Sequence, residues 1–439
     1  MPVLTHVYPN GFRLIYEKSN GSIPVTNMRI MCDFGSAHET DELRGAAHFI
    51  EHMCFKGTKK MKESKQIQRT YDKIGAYMNA YTNKRYTEYI TKCDSNFVES
   101  IVDLFADMLF NSLFREKDCI IEEKIVIEEC SKHSDDSVSE LITLSDAMLY
   151  AGSAFSYPID SLNYHKKNMD YSKIKELYKL FYQPNRFSIS IITDLSFEHM
   201  KHMLSLSPFV KLRNNTSYKF LTINKCISPQ SEPSYFIKEK TANKTTHISI
   251  GFRVNREDRY PLVVLKTLLG GPMSSRLFIK LREKNGLTYS SNAFVSFYDA
   301  YGDLSLYAET DSSKVLLNQN GKKGVLPLMF DVINDIIKNG ITTDEFNFAK
   351  GYLKGTMNGE LDDYMAKCQY NGEHFLEYPD EPFCEYSKLY DTFYKTITRN
   401  QVNDVARKYF NKGNMSVCIV GGKAPKLNQV KSICEQLYL

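Results

Sequence analysis

The sequence predicts an α+β protein whose two halves repeat one coarse plan. Each half opens with strand-like segments, and long amphipathic helices follow them instead of alternating with them, which indicates α+β layers. In the first half an Asn10-Gly11 turn lies between strand-forming residues, as is typical of a hairpin. The strands are expected at 3–16, 24–35, 235–240 and 246–254, and the helices at 96–113, 173–181, 262–269, 323–338 and 344–361.

The chain divides near its middle, where residues 211–233 are polar and irregular and are predicted to form a linker. This division gives an N-terminal domain over residues 1–210 and a C-terminal domain over residues 234–439. A chain of 439 residues is long enough for two or three domains, so the division agrees with the length.

Composition argues against several functional classes. With 42% hydrophobic and 25% charged residues, the chain has the composition of an ordinary soluble globular protein. A formal charge of +4 is small for this length and does not favour nucleic-acid binding. No apolar run approaches the ~20 residues of a membrane span, and residues 1–6 lack the character of a signal or transit peptide. Ten cysteines without a C-x-x-C pair favour a reducing compartment such as the cytoplasm.

The most informative stretch is His48-Phe49-Ile50-Glu51-His52. Two histidines four residues apart lie on one face of a helix, about 5–6 Å apart at Cβ, so both imidazoles can reach one metal ion. Glu51 projects from the same side, and H-x-x-E-H is the inverzincin order of a zinc hydrolase motif. Residues 40–45 offer N-cap candidates and acidic first-turn residues for this helix. The alternative is a helix on which these side chains share a face without a metal.

A catalytic zinc usually keeps three protein ligands and one open position, so a third ligand is needed. Apolar residues recur at helical spacing within residues 118–130, namely Ile121, Ile125 and Val126 or Ile127, which predicts a helix. Glu122 and Glu129 lie two turns apart on it and share a face. The alternative is a solvated acidic surface, as on most Glu-rich helices.

Five separate segments, in order along the chain, carry a family resemblance. They are G-A-A-H-F-I-E-H-M at 45–53 with F-K-G-T at 55–58, G-A-Y-M-N-A-Y-T at 75–82, V-I-E-E at 126–129, G-G-P-M-S-S-R-L at 270–277 with L-R-E-K-N-G-L-T-Y-S at 281–290, and G-I-T-T-D-E at 340–345. The chain resembles the pitrilysin/insulinase family of zinc peptidases, in the short-chain branch with mitochondrial processing peptidase. The resemblance implies two homologous α+β domains, each a mainly antiparallel sheet covered by helices.

The resemblance also implies roles for individual residues. His48, His52 and Glu129 would hold one Zn²⁺ per chain, with the neighbouring Glu128 as the alternative to Glu129. Glu51 would be the general base. The remaining catalytic candidates are Glu122, Arg282 and Tyr289, and the substrate-binding candidates are Asn79, Ala80, Tyr81, Phe278, Arg282 and Tyr289.

The second half keeps the scaffold without the metal ligands. Gly57 and Gly270 follow corresponding helices of the two halves. When these two glycines are aligned, the positions of the H-x-x-E-H histidines and glutamate are taken by Pro261, Val264 and Leu265. One catalytic centre per chain is therefore expected. His133 departs from the family pattern, and a surface position is expected for it.

The resemblance further implies a zinc-dependent endopeptidase that hydrolyses peptides or unfolded polypeptide segments inside a closed chamber. A chain with two such domains would pair with another chain to close the chamber, as a homodimer or as a heterodimer with a related chain. The alternatives are a non-catalytic structural or partner subunit of the same fold and zinc-dependent hydrolysis of a non-peptide substrate. The complete set of ligands and base argues against the first, and the match at Arg282 and Tyr289 against the second.

Overall fold

The structure, a computed structural model, describes residues 2–21, 23–160, 169–215, 223–241, 243–317 and 322–437. Part of the predicted linker, residues 216–222, lies outside the described residues. None of the helices in these ranges combines the length and the apolar character that crossing a bilayer requires.

Strands and helices follow one another in an order that repeats. The strands are β1 (Leu4–Val7), β2 (Arg13–Lys18), β3 (Val25–Cys32), β4 (Tyr77–Thr82), β5 (Thr87–Asp94), β6 (Phe187–Thr193), β7 (Ser234–Glu239), β8 (Thr245–Asn255), β9 (Thr288–Tyr298), β10 (Tyr301–Asp311) and β11 (Met415–Gly421). The helices are α1 (Ala46–Met53), α2 (Ser64–Asp72), α3 (Val98–Phe110), α4 (Glu116–Asp135), α5 (Ser137–Leu149), α6 (Tyr171–Phe181), α7 (Phe197–Leu206), α8 (Pro208–Lys211), α9 (Arg259–Leu269), α10 (Val325–Asn339), α11 (Thr343–Gly359), α12 (Tyr364–Glu377), α13 (Arg399–Tyr409) and α14 (Leu427–Cys434).

The two sheets share one strand order. The first runs β1-β2-β6-β3-β5-β4 and the second runs β7-β11-β8-β10-β9, so the second repeats the first from its second strand onward. Within each sheet one pair is parallel, β2 with β6 and β7 with β11, and the remaining pairs are antiparallel. The prediction of an α+β fold with two mainly antiparallel sheets covered by helices is therefore confirmed. Strands β4 and β9 lie at corresponding edges.

The chain forms two compact units, and neither is continuous in sequence. Unit 1 comprises Met1–Ser131, Pro158–Asn224 and Glu360–Ser387, and unit 2 comprises Lys132–Tyr157, Lys225–Gly359 and Lys388–Leu439. The predicted boundaries assigned residues 132–157 to the N-terminal domain and residues 360–387 to the C-terminal domain, whereas the structure exchanges these two segments. The physical reason is packing, because α5 covers β8 and β11 while α12 covers β3 and β6.

Helix α12 and the helical core cover opposite faces of β3, which explains why this strand is almost wholly buried. Met28, Ile30 and Cys32 alternate along the strand into the hydrophobic core of unit 1. On the other face, the Arg29 side chain donates to a backbone carbonyl of α12. A Cβ atom at Gly372 of α12 would lie within 3 Å of the sulfur and terminal methyl of Met31, so glycine lets the helix pack on the sheet without displacing that side chain.

A buried ion pair also attaches α12 to unit 1. Lys367 of α12 and Glu17 of β2 are 7% and 5% exposed, and the lysine ammonium contacts the carboxylate. The Asn371 amide donates to the other oxygen of Glu17 at 3.2 Å. Because a buried charge is costly without its partner, each member of the pair depends on the other.

We predict that Lys367→Met lowers the free energy of unfolding by about 3–5 kcal/mol, because it leaves the Glu17 carboxylate buried without its cation. The exposed Lys117→Met on α4 is the matched control and should stay within about 0.5 kcal/mol of the wild type. Urea denaturation monitored by circular dichroism measures both. Equal midpoints for the two variants would show that residues 360–387 are not attached to β2 through this pair.

Candidate active site

Two residues define the start of the helix that carries the histidine motif. Gly45 precedes α1 with a φ of +89°, a conformation that suits glycine. The Glu39 carboxylate accepts hydrogen bonds from the backbone N–H groups of Gly45 and Ala47, at 2.8 and 2.7 Å. Burial raises the pKa of Glu39 to about 8. The capping side chain therefore does not come from the candidates predicted at 40–45. It comes from Glu39, which lies further from the helix in sequence than a usual N-cap residue.

Helices α1 and α4 bring three potential ligands together. The Nε2 atoms of His48 and His52 lie 3.1 Å apart. The Oε2 atom of Glu129 lies 3.8 Å from the first nitrogen and 3.4 Å from the second. Among the described residues, these three form the one cluster of His, Cys, Asp or Glu side chains that could hold a metal ion. Glu128 is exposed on α4, and so is His133.

The spacing of these atoms fits a zinc ion. Ligand atoms about 2.0–2.1 Å from a tetrahedral zinc lie roughly 3.3 Å from one another, close to the three separations above. Two imidazoles and one carboxylate are donors that zinc accepts, and three protein ligands leave a fourth position open. On donor chemistry and on spacing, the residues present fit the metal.

Glu122 lies behind His52, on the side away from the other two ligands. Its Oε1 atom is 2.8 Å from Nδ1 of His52, and its Oε2 atom forms an ion pair with the Lys56 ammonium. Burial opposes ionisation of this carboxyl, but the hydrogen bonds to His52 and Lys56 outweigh it and lower the pKa of Glu122. Burial also opposes a charge on His52, but Glu122 and Glu129 raise the pKa of the imidazole. Lys56 was not predicted to take part, although it lies four residues beyond His52.

Only part of the apolar pattern that predicted α4 faces the core. Ile121 is 57% exposed, whereas Glu122 is buried. The inner face consists of Cys119, Glu122, Val126 and Cys130. The prediction of a helix is confirmed, and its inner face carries Glu122 and Val126 while Ile121 faces outward. The partners of Glu122 make its burial possible, because two nitrogen donors compensate for the water that the buried carboxylate has lost.

Glu51 lies between the motif helix and the edge strand. Its side chain is 8% exposed, and its Oε2 atom accepts a hydrogen bond from the Thr82 hydroxyl at 2.6 Å. Burial raises the pKa of Glu51. Thr82 closes the G-x-x-x-N-A-x-T segment, so the motif was the signal that could have identified this contact.

Strand β4 carries three of the predicted substrate-binding residues. It pairs with β5 on one side and lies at the edge of the described sheet on the other. The Asn79 amide donates to the hydroxyls of Tyr77 and Tyr81, at 3.2 and 2.7 Å, and its oxygen accepts from the Ala80 N–H at 2.9 Å. Both tyrosine side chains are about half exposed, so one face of the edge strand presents a fixed row of polar and aromatic groups.

The predicted residues of the second half cluster within unit 2. The Arg282 guanidinium donates to the backbone carbonyl of Tyr289 at 2.8 Å and lies 5.4 Å from the centre of the Phe278 ring. The Tyr289 side chain is 61% exposed. In helix α9, the residues that correspond to Glu51 and His52, namely Val264 and Leu265, are fully buried. At the positions where unit 1 carries the H-x-x-E-H motif, unit 2 therefore carries buried apolar side chains.

Comparison with known proteins agrees with this architecture. Residues 14–153 match the family model described as insulinase (peptidase family M16), and residues 168–353 match the one described as peptidase M16 inactive domain. An uncharacterised zinc protease of Bacillus subtilis, YmxG, is 28% identical over 373 residues, which cover 84% of this chain and 86% of that protein. An uncharacterised zinc protease of Rickettsia felis is 30% identical over 314 residues, covering 70% of this chain and 74% of that protein.

A solved structure supports the fold independently. The crystal structure of a protease from Helicobacter pylori superposes with a TM-score of 0.85 and covers 96% of this chain and 99% of that one. At 19% identity, this likeness concerns the fold alone. The two family models, the Rickettsia relative and the motif order agree, and the chain belongs to the insulinase family of peptidases, peptidase family M16.

Proposed function

We propose that this chain is a zinc-dependent endopeptidase that hydrolyses peptides or unfolded polypeptide segments. The observation that carries the proposal is the cluster of His48, His52 and Glu129, whose donor atoms lie 3.1 to 3.8 Å apart. The buried carboxylate of Glu51 follows His48 on the same helix and supplies a base. Relatives named zinc proteases support the same reaction class.

The chain's own residues would divide the work of hydrolysis. Zinc held by the three ligands would polarise the peptide carbonyl and make a water molecule acidic enough to attack at neutral pH. Glu51 would take the proton of the attacking water and deliver it to the leaving nitrogen. The Thr82 hydroxyl holds one oxygen of Glu51 and so orients the other. Glu122 would fix the orientation of His52 through Nδ1.

Substrate recognition would use the free edge of β4. An extended peptide can add to an edge strand through backbone hydrogen bonds, with alternate side chains on each face. Asn79, Ala80 and Tyr81 would form this binding strand, and Phe278, Arg282 and Tyr289 would supply further substrate contacts, as the family resemblance implies. Peptides and unfolded segments are the expected substrates, because their extended backbone can pair along its length with an edge strand.

We also propose that catalysis takes place inside a closed chamber that two chains complete, as a homodimer or with a related chain. A non-catalytic subunit of the same fold is the alternative function. It would bind its partner without cleaving peptides, so the measurements below distinguish the two functions.

We predict that Glu51→Gln removes the general base and lowers kcat/KM for an unfolded peptide by about 10²–10⁴-fold. Zinc content should stay unchanged because the variant keeps all three ligands. Peptide cleavage followed by mass spectrometry, together with metal analysis, measures both quantities. Cleavage at the wild-type rate by the metal-loaded variant would show that Glu51 is not the base.

We predict that Glu129→Gln lowers zinc occupancy, whereas Glu128→Gln does not, because the first change replaces an anionic carboxylate ligand by a neutral amide and the second alters an exposed side chain. The two variants differ by one position on the same helix and are therefore matched in charge and helix propensity. Equal zinc occupancy, measured by mass spectrometry after gel filtration, would contradict the assignment of Glu129 as ligand.

We predict that a chelator stops cleavage of an unfolded polypeptide and that added zinc restores it, while the same polypeptide in its folded state resists cleavage. The physical reason is that strand addition needs an exposed backbone. Disulfide-intact and reduced, alkylated forms of one small protein make a matched substrate pair. Equal cleavage of the two forms would exclude edge-strand recognition, and chelator-resistant cleavage would exclude the metal mechanism.

A further inference from the structure

The candidate metal cluster continues beyond its ligands to a lysine. The Glu122 side chain is 3% exposed and touches a different group with each oxygen. Oε1 lies 2.8 Å from Nδ1 of His52, and Oε2 forms an ion pair with Nζ of Lys56. His52 in turn presents Nε2 to His48 and Glu129. A continuous chain of contacts therefore leads from the cluster through two side chains to the Lys56 ammonium.

The orientation of His52 depends on this chain of contacts. A carboxylate accepts hydrogen bonds, so an ionised Glu122 requires a proton on Nδ1 of His52 and leaves the Nε2 lone pair available to a metal. A carboxylate buried to 3% exposure is costly unless its second oxygen also has a partner. Lys56 supplies that partner and the compensating charge.

The position of Lys56 in the chain suits this role. It follows the end of α1, where its backbone N–H donates to the Met53 carbonyl at 3.2 Å. Its own carbonyl accepts a hydrogen bond from the Arg115 guanidinium, just before α4, at 3.3 Å. Lys56 thus connects α1 with α4 twice, through its backbone to Arg115 and through its side chain to Glu122. Helix α1 carries two of the proposed ligands and α4 carries the third.

We propose that Lys56 is a positioning residue for the metal site, which fixes Glu122 on His52 and thereby holds the ring in the orientation that presents Nε2 to zinc. The inference rests on the proposed zinc site but concerns affinity for the metal and not peptide cleavage. Among the described residues, the Lys56 ammonium forms its ion pair with Glu122 and with none of the three proposed ligands, so its effect passes through Glu122.

The test measures the zinc dissociation constant of the metal-free protein by competition with a chromogenic chelator. Lys56→Met should weaken zinc binding by about 10- to 100-fold, as loss of such an outer partner does elsewhere. Lys56→Arg keeps the charge and the donors and should recover most of the affinity. The exposed Lys60→Met, four residues further along the chain, is the matched control and should bind zinc as the wild type does.

A double-mutant cycle separates positioning from a general effect on folding. In a Glu122→Gln background, Lys56→Met should change the zinc dissociation constant by no more than about twofold, because the partner through which it acts is gone. An equal loss in both backgrounds, or affinity within twofold of the wild type in Lys56→Met alone, would overturn the proposal. If Lys56→Met does not fold, Lys56→Gln replaces it, and equal affinity of Lys56→Gln and Lys56→Arg would also overturn the proposal.

The outcome is distinguishable from failure of the proposed function. A wild-type protein that binds zinc tightly but cleaves no peptide would refute the peptidase assignment and leave the role of Lys56 intact. A wild-type protein that cleaves peptides while Lys56→Met binds zinc normally would refute the role of Lys56 alone.

Discussion

The constraint on which the candidate site depends is the burial of Glu122 between two nitrogen donors. The Glu122 carboxylate takes an inward position on α4 that an apolar side chain would otherwise fill. Its pairing with His52 and Lys56 offsets the cost of removing the charge from water. The same contact joins α1 to α4. Glu129, two turns further along α4, lies within 4 Å of both histidine Nε2 atoms.

The repeated architecture uses this arrangement once. Both sheets have the same strand order and an edge strand at the corresponding place, yet unit 2 fills the position of the motif helix with buried apolar residues such as Val264 and Leu265. A helix usually packs on a sheet through apolar side chains, which need no hydrogen-bonding partners when they are buried. The polar solution in unit 1 requires several complementary side chains from separate elements, among them Glu39, Thr82 and Lys56.

Most of the fold could be predicted because the signals are local. Strand alternation, the Asn10-Gly11 turn and helical periodicity each depend on neighbouring residues, so the α+β class and the repeated plan were visible. The exchange of α5 and α12 between the units could not be predicted, because the pattern of an amphipathic helix shows that it has an apolar face but not which sheet that face covers. Ile121 illustrates the same limit, since a helical pattern predicts the helix but burial depends on what lies opposite.

The sequence by itself determined that His48, Glu51 and His52 share one helix face, since residues three and four apart do so wherever the helix lies. Family resemblance then added Glu129 and the edge strand as predictions. Only the tertiary structure decided that Glu129 and not Glu128 faces the histidines, that Glu39 caps α1 and that Lys56 reaches Glu122. These contacts join residues distant in sequence, and their geometry depends on how helices and strands pack, which no local pattern encodes.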